Sequence, residues 1–224
     1  MLLKTKMVIS LIAGLLTAPF ALGADAASAD ASKAPAFTKG SVLLSEDFAG
    51  TELDKSWSAA KGTWTIADGV LKGVEKADDH HAAVVRHALK AHDLIAQFSF
   101  RFDGSKMVAL SLNNSKGHVC RATITPTAVA LQKDKPGKDS EEKPASLDKQ
   151  TVEIKPGEWH TMIVTVCGKQ MSASLDGKQI AAGSNDGVDV EKTSIGFPTS
   201  GEGISIKEVR VWEAKPATPT KTAE

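Results

Sequence analysis

Four of the six histidines of this chain lie in one short stretch. The stretch reads KADDHHAAVVRHALKAHD, residues 76–93, and contains His80, His81, His87 and His92. Imidazoles titrate near neutrality and serve as proton acceptors or metal ligands. In a strand His80 and His81 would point to opposite faces, whereas His81 and His87 would share a face about 20 Å apart. These neighbours cannot chelate one ion together, so no metal ligand is assigned, and His81 is a candidate catalytic base.

A second concentration of polar groups follows in NNSKGHVCR, residues 113–121. It offers amide, imidazole and guanidinium groups, and a strand just before it adds another guanidinium. Such groups suit a polyhydroxylated ligand, which needs many directed hydrogen bonds. The alternative is the hydrated outer face that every sandwich of sheets has. We predict catalytic roles for His81 and His118, and substrate binding by Arg101, Asn113 and Arg121, all on one sheet face.

Strand register sets a condition on this prediction. In a regular strand Arg121 shares a face with Val119 and Thr123, whereas His118 lies with Cys120 on the other face. A turn or bulge at Gly117 is therefore needed to bring His118 round to the face of Arg121.

The elements that would position these groups are strands. Phe98, Phe100 and Phe102 alternate with polar residues, as do the runs MVALSLNN and WHTMIVTVCG, and no stretch has a helical period. Asp68-Gly69 and Asp176-Gly177 each join two such runs and predict hairpins with type I′ turns. Roughly a dozen strands are too many for one open sheet, so the sequence predicts an all-β, two-sheet antiparallel jelly-roll sandwich.

The chain ends differ in composition from this domain. Lys4 and Lys6 precede an apolar run broken by Pro19 and shorter than the roughly 20 residues of a membrane span, which predicts a signal peptide over 1–23 and no membrane anchor. We expect a disordered spacer over 24–40, the jelly roll over 41–214 and a disordered tail over 215–224. Residues 134–149 read as a long exposed loop. The protein is then periplasmic or extracellular.

Several function classes are excluded or left open. Lys plus Arg and Asp plus Glu are both 27, so nucleic acid is not expected as a partner. The carboxylate triad that glucanases of this fold carry on one strand is absent, because Gly187 stands at the nucleophile position of GVDVE. The sequence identifies no cofactor and no oligomeric state. Cys120 and Cys167 could form a disulfide after export or stay as buried thiols.

Several segments resemble one family of secreted jelly-roll proteins. LLSEDFAGTELDKSW is similar to its opening strand and turn, GTWTIADGVLKG to its Trp-x-x-x-Asp-Gly-x-Leu hairpin, and GEWHTMIVTVCGKQMSASLDGKQIA to its Gly-Glu-Trp strand and following hairpin. SIGFPTSGEGISIKEVRVWEA is similar to its final strand. This is the 3-keto-disaccharide hydrolase-like family, which is concanavalin A-like and related in fold to family 16 glycoside hydrolases.

The resemblance implies a carbohydrate ligand with a ketone at C3. A base would remove the acidified proton at C2, a cation would stabilise the enolate, and the glycosidic oxygen would leave. Two alternatives remain at this point: a lectin-like carbohydrate-binding module without catalysis, and a structural exported protein.

Overall fold

The computed structural model describes residues 37–137 and 139–217, and these residues form fifteen strands. All strand pairings are antiparallel. The strands are β1 Phe37–Glu46, β2 Trp57–Lys61, β3 Thr63–Ala67, β4 Val70–Val74, β5 Ala83–Ala91, β6 Leu94–Phe102, β7 Ser105–Asn114, β8 Gly117–Thr125, β9 Ala128–Lys133, β10 Ala145–Thr151, β11 His160–Cys167, β12 Gln170–Leu175, β13 Lys178–Ser184, β14 Lys192–Gly201 and β15 Ile204–Pro216. Two short 3-10 turns, Ala77–Asp79 and Asp186–Val188, complete the regular structure of the described residues.

The strands form two sheets. Sheet A has the order β13-β12-β11-β6-β15-β4-β3, with β1 also paired to β15. Sheet B has the order β10-β9-β8-β7-β14-β5-β2. The predicted all-β, two-sheet antiparallel jelly-roll sandwich is thereby confirmed.

Alternation along the strands builds the core between the sheets. Phe98, Phe100 and Phe102 of β6 are at most 1% exposed. Phe98 of sheet A meets Phe197 of sheet B edge to face, with ring centroids 5.0 Å apart. An edge-to-face pair of buried rings adds about 0.5 to 1.5 kcal/mol beyond its area burial. The predicted placement of the three rings of β6 in the core is confirmed.

The two predicted hairpins are also present. Asp68 and Gly69 join β3 to β4 with φ of 54° and 73°, and Asp176 and Gly177 join β12 to β13 with φ of 49° and 81°. Positive φ at both central residues is the mark of a type I′ turn, which matches the twist of the flanking strands.

Some predicted boundaries differ from the structure. Residues 37–40, predicted as spacer, lie in β1, where Phe37 pairs with Pro216 of β15. The first two residues of the predicted tail thus extend β15. Pairing with each other satisfies the backbone of both segments, which composition alone cannot reveal. Residues 145–149 of the predicted loop belong to β10. The predicted signal peptide and the spacer up to residue 36 lie outside the described residues.

Cys120 and Cys167 are free, buried thiols. Burial raises the pKa of Cys120 to about 12 and that of Cys167 to about 11. At neutral pH both side chains are therefore uncharged. Within the described ranges there is no helix of the length and apolar character that a membrane crossing requires.

Candidate functional site

The outer face of sheet B, which is turned away from the core, carries most of the predicted polar groups. Leu110 and Leu112 of β7 point into the core, so the intervening Ser111 and Asn113 point to the outer face. Ser111 is 1% and Asn113 7% exposed. They therefore form a floor that longer side chains of neighbouring strands cover.

An extra residue in β8 brings His118 to this face. Leu112 pairs with Cys120 and Asn113 pairs with His118, so Val119 has no partner of its own on β7. This is the geometry of a β-bulge, which re-aims the side chains on either side of it. The irregularity that the sequence analysis required is present, at Val119 rather than Gly117. It places His118 and Arg121 on one face although they are three positions apart in the sequence.

The hydrogen bonds of His118 define its tautomer. Its Nδ1 lies 2.6 Å from Oδ1 of Asn113, whose Nδ2 donates to Oγ of Ser194 at 3.4 Å. An amide oxygen can only accept, so Nδ1 of His118 donates a proton and Nε2 carries the lone pair. Burial, followed by the positive charge of Arg121, lowers the pKa of His118, and Asp134 opposes them. His118 is therefore a neutral base at pH 7, with Nε2 ready to take a proton.

Arg121 is held in place by a buried carboxylate. Its Nε donates to Oδ2 of Asp134 at 2.8 Å, and the Asp134 side chain is only 4% exposed. Gln132 donates to the other oxygen of Asp134 at 2.7 Å. A guanidinium carries five N–H donors, so the two terminal nitrogens of Arg121 keep donors for a ligand. The contact through Nε orients Arg121, and its terminal nitrogens can still bind developing negative charge on a ligand.

Arg86 completes the cationic side of this face, and the sequence analysis missed it. Gly196 of β14 lies between Arg86 and Ser111 in register. A Cβ at Gly196 would lie 3.1 Å from Cγ of Arg86 and 3.1 Å from Oγ of Ser111. The absent side chain therefore leaves room for the arginine stem. Within the described part of the chain, the Arg86 guanidinium has no hydrogen-bond or ion-pair partner.

A sequence signal for Arg86 was present. In AVVRHALKA the buried Val85 and His87 flank Arg86, which alternation places on the opposite face. Arg86 was therefore predictable from the same stretch that contains the four histidines. Asp134 could not be found in this way, because it follows the end of β9 and reaches Arg121 only through tertiary folding.

His81 lies just before β5 and is exposed. Its Nδ1 lies 2.7 Å from the carbonyl oxygen of Ala82. The charge of His81 is the smallest of the causes that lower the pKa of His118. His81 lies two residues before Ala83, which pairs with Thr199, so it is close to sheet B, the sheet that carries Asn113, His118 and Arg121.

Arg101 does not join this group, which corrects the expectation that all five residues converge. It lies in β6 of sheet A, where it pairs with Ser205 of β15, and it points to the outer face of that sheet. Asn113 lies in β7 of sheet B. The chain passes from one sheet to the other between β6 and β7, so these consecutive strands are not hydrogen-bonded neighbours. Alternation gives the face of a strand but not the sheet to which it belongs.

Among the described residues, one group of side chains could hold a metal ion. His92, Asp93 and Asp189 each offer a ligand atom, and these atoms lie within 4.8 Å of one another. The Nζ of Lys192, a residue that is 0% exposed, donates to the carbonyl oxygen of His92 at 2.6 Å. A positive charge of the chain itself is thus already buried beside this group.

The comparison with protein families gives one match. The model of the 3-keto-alpha-glucoside-1,2-lyase-like domain matches residues 44–212. This range includes all of sheet B, with every residue of its outer face described above, and all of sheet A except the outer ends of β1 and β15. The comparison with curated proteins gave no match.

Solved structures of similar fold share little sequence with this chain. A protein of unknown function with galectin-like fold from Bacillus subtilis has a TM-score of 0.61 at 12% identity, covering 81% of this chain and 100% of its own. The carbohydrate-binding module CBM66 from Bacillus subtilis gives 0.58 at 12%, covering 70% and 96%. Porphyranase B from Zobellia galactanivorans gives 0.59 at 12%, covering 77% and 92%. At these identities the similarity shows the fold alone.

Proposed function

Because the chain belongs to the family of 3-keto-alpha-glucoside-1,2-lyase-like domains, we propose that it cleaves 3-keto-glycosides at the outer face of sheet B. The observation that carries this proposal is the state of His118. It is a neutral imidazole with its Nδ1 bonded to Asn113, and guanidinium groups lie on the same face. A base next to cations is the arrangement that removal of a proton next to a ketone requires.

The reaction would proceed by elimination. Nε2 of His118 takes the proton from C2, and the electrons of the C–H bond form an enolate whose negative charge lies on the C3 oxygen. Collapse of the enolate breaks the bond between C1 and the glycosidic oxygen. That oxygen leaves with the bonding pair and takes up a proton from the imidazolium or from water. The products are the leaving group as a free alcohol and a 3-keto sugar with a double bond between C1 and C2.

The two arginines would stabilise the enolate. The terminal nitrogens of Arg121 lie on the face that His118 shares, as does the guanidinium of Arg86, which has no partner among the described residues. Charge-assisted hydrogen bonds to an oxyanion are roughly twice as strong as neutral ones. Asn113 contributes by fixing the tautomer of His118. His81, which is exposed, is left with a binding role at the edge of the face.

The proposal is tested by following the C2 proton. We expect the protein to exchange the C2 hydrogen of a 3-keto-glucoside for deuterium in D₂O and to release the aglycone, but to do neither with the unoxidised glucoside. His118→Gln should slow exchange and release by ~10²- to 10⁴-fold. His160→Gln is the matched control, because His160 lies in sheet A. Persistence of exchange in the His118 variant would remove the base role, and binding without exchange would favour the lectin-like alternative.

We further propose that the protein is exported. The basic start and the apolar run ending near Leu22 support removal of residues 1–23. The intact mass of protein recovered from the periplasm or medium tests this. A mass that corresponds to a chain beginning near Ala24 is expected, and a mass that includes Met1 would contradict cleavage.

A further inference from the structure

A cavity of about 150 Å³ lies next to His118 at the end of sheet B. The residues around it include Asn114, Lys116, His118, Lys133, Glu142 and Gly187. The proposed reaction uses only His118 of this set. The cavity therefore adjoins the proposed site, and two lysines, Lys116 and Lys133, line it.

Lys133 is a buried cation in this cavity. It ends β9, and its side chain is only 6% exposed. Its stem packs over Gly187, where an added Cβ would lie 2.5 Å from Cε of Lys133. Burying an ammonium group is costly unless an anion compensates it. An anion at this position therefore offsets the cost of burying Lys133.

The anion is the carboxylate of Glu142, whose side chain is exposed, whereas that of Lys133 is buried. Glu142 forms an ion pair with Nζ of Lys133 but has a side chain that is 63% exposed. It belongs to no strand, since β9 ends at Lys133 and β10 begins at Ala145. A carboxylate of the ligand could replace it on Lys133 without burying any new charge. Asp134 is not available for this purpose, because its oxygens accept from Arg121 and Gln132.

We propose that this cavity is a subsite for a hexuronate unit, whose carboxylate takes the place of Glu142 on Lys133. Glu142 then acts as an internal competitor that keeps Lys133 paired until such a ligand arrives. Lys116, which also lines the cavity, adds a second positive charge when Glu142 moves away. A neutral sugar offers nothing to replace the carboxylate that it would have to displace. This inference rests on the proposed carbohydrate site and adds the class of sugar bound beside it.

The test compares two ligands that differ only at C6. Methyl β-D-glucuronide and methyl β-D-glucoside are titrated into the protein and followed by NMR. We expect the glucuronide to bind at least about tenfold more tightly, because charge-assisted hydrogen bonds to a buried cation discriminate by that order. Added salt should reduce the difference, since the contact is an ion pair.

Three variants assign the effect to the residues named. Glu142→Gln removes the competitor and should tighten glucuronide binding by roughly tenfold while leaving the glucoside unchanged. Glu141→Gln is the matched control, since it removes the same charge one residue away on an exposed side chain. Lys133→Met keeps a long apolar stem and should abolish the preference for the glucuronide.

The outcomes separate this inference from the proposed function. Equal affinity for the two ligands, or an unchanged preference in both Glu142→Gln and Lys133→Met, would overturn the uronate subsite. Neither result depends on deuterium exchange with a 3-keto-glucoside. A protein that prefers the glucuronide but catalyses no exchange would lose the lyase function and keep this subsite. A protein with the reverse behaviour would keep the lyase function alone.

Discussion

The two outer faces of the sandwich both carry arginines, but they use them differently. On sheet A, Nε and one terminal nitrogen of Arg101 donate to the carboxylate of Asp103 at 2.7 and 3.3 Å. Its guanidinium also lies 4.9 Å from the ring centroid of Trp159. On sheet B, Arg121 donates to Asp134 only through Nε. Arg86 has no partner among the described residues.

Two lysines on sheet A also have partners within the chain. Lys207 lies 4.7 Å from the ring centroid of Trp159, and Lys39 lies 3.6 Å from that of Trp212. Lys39 also donates to Oε1 of Gln97 at 3.2 Å. Cations over aromatic faces gain about 0.5 to 1 kcal/mol each at exposed sites. On the outer face of sheet A, Arg101, Lys207 and Lys39 thus have partners within the chain, whereas on sheet B Arg86 and the terminal nitrogens of Arg121 leave donors for a ligand.

Substituting one arginine on each face is the strongest test of this difference between the two sheets. We expect Arg86→Gln to lower kcat/KM for a 3-keto-glucoside by roughly 10²-fold, because a charge-assisted contact to the enolate is lost. Arg101→Gln should change it less than about twofold, since that guanidinium is already paired on the other sheet. Arg86→Lys should recover only part of the activity, because the planar fork is lost. Equal losses in the Arg86 and Arg101 variants would abolish the distinction between the faces.

The pH dependence of the reaction tests the state of His118. Asn113→Asp places a carboxylate against Nδ1, which raises the pKa of the imidazole. The acidic limb of kcat/KM should then move to higher pH by roughly one unit, because only the neutral imidazole accepts a proton. The pH profile of deuterium exchange measures the shift directly. An acidic limb that stays in place would mean that a group other than His118 is the base.

Removing an aromatic ring from sheet A should affect stability and not ligand binding. Trp159→Ala takes away the face against which Arg101 and Lys207 pack. We expect the free energy of unfolding to fall by about 1 to 2 kcal/mol. Trp159→Phe should retain part of it. Urea unfolding gives the stability and NMR titration the sugar affinity, and a loss of sugar affinity would show that sheet A also serves a ligand.

The smallest expected effect concerns a histidine that belongs to neither outer face. His87 is 8% exposed and contacts Trp57 edge to face, and burial lowers its pKa below the ordinary histidine value of 6.5. The unfolded chain therefore binds more protons than the folded one as the pH falls below that value. The contribution of His87 to stability is therefore complete above the ordinary histidine pKa. It is lost as the pH falls from that value through the lower pKa of the folded state.

His87→Leu should reduce this dependence, since it removes the group that must stay neutral in the core. The measurement is urea unfolding at about pH 7.5 and about pH 5, on either side of the ordinary histidine pKa. The wild type should lose more stability between the two conditions than the variant. An identical loss in both proteins would show that His87 does not contribute to the pH dependence.

Much of the outer face of sheet B was predictable from the sequence. Asn113, His118 and Arg121 were selected from one short segment, and the need for a bulge followed from counting residues between His118 and Arg121. Arg86 could have been added by the same alternation. The carboxylate of Asp134 could not, because it lies beyond the end of a strand. The ion pair between Glu142 and Lys133 could not be predicted either, because residues outside strands follow no period.

The sequence by itself determined that the domain is built from strands and which face of a regular strand each side chain takes, because both depend on a local period of two. It also determined the two type I′ hairpins, since Asp-Gly allows positive φ at both central positions. Only the tertiary structure decided which sheet each strand joined. That choice depends on pairing between segments far apart in the chain, as when β6 pairs with β11 and β15 rather than with the next strand, β7. Arg101 and Asn113 therefore lie on different sheets although their strands follow each other in sequence.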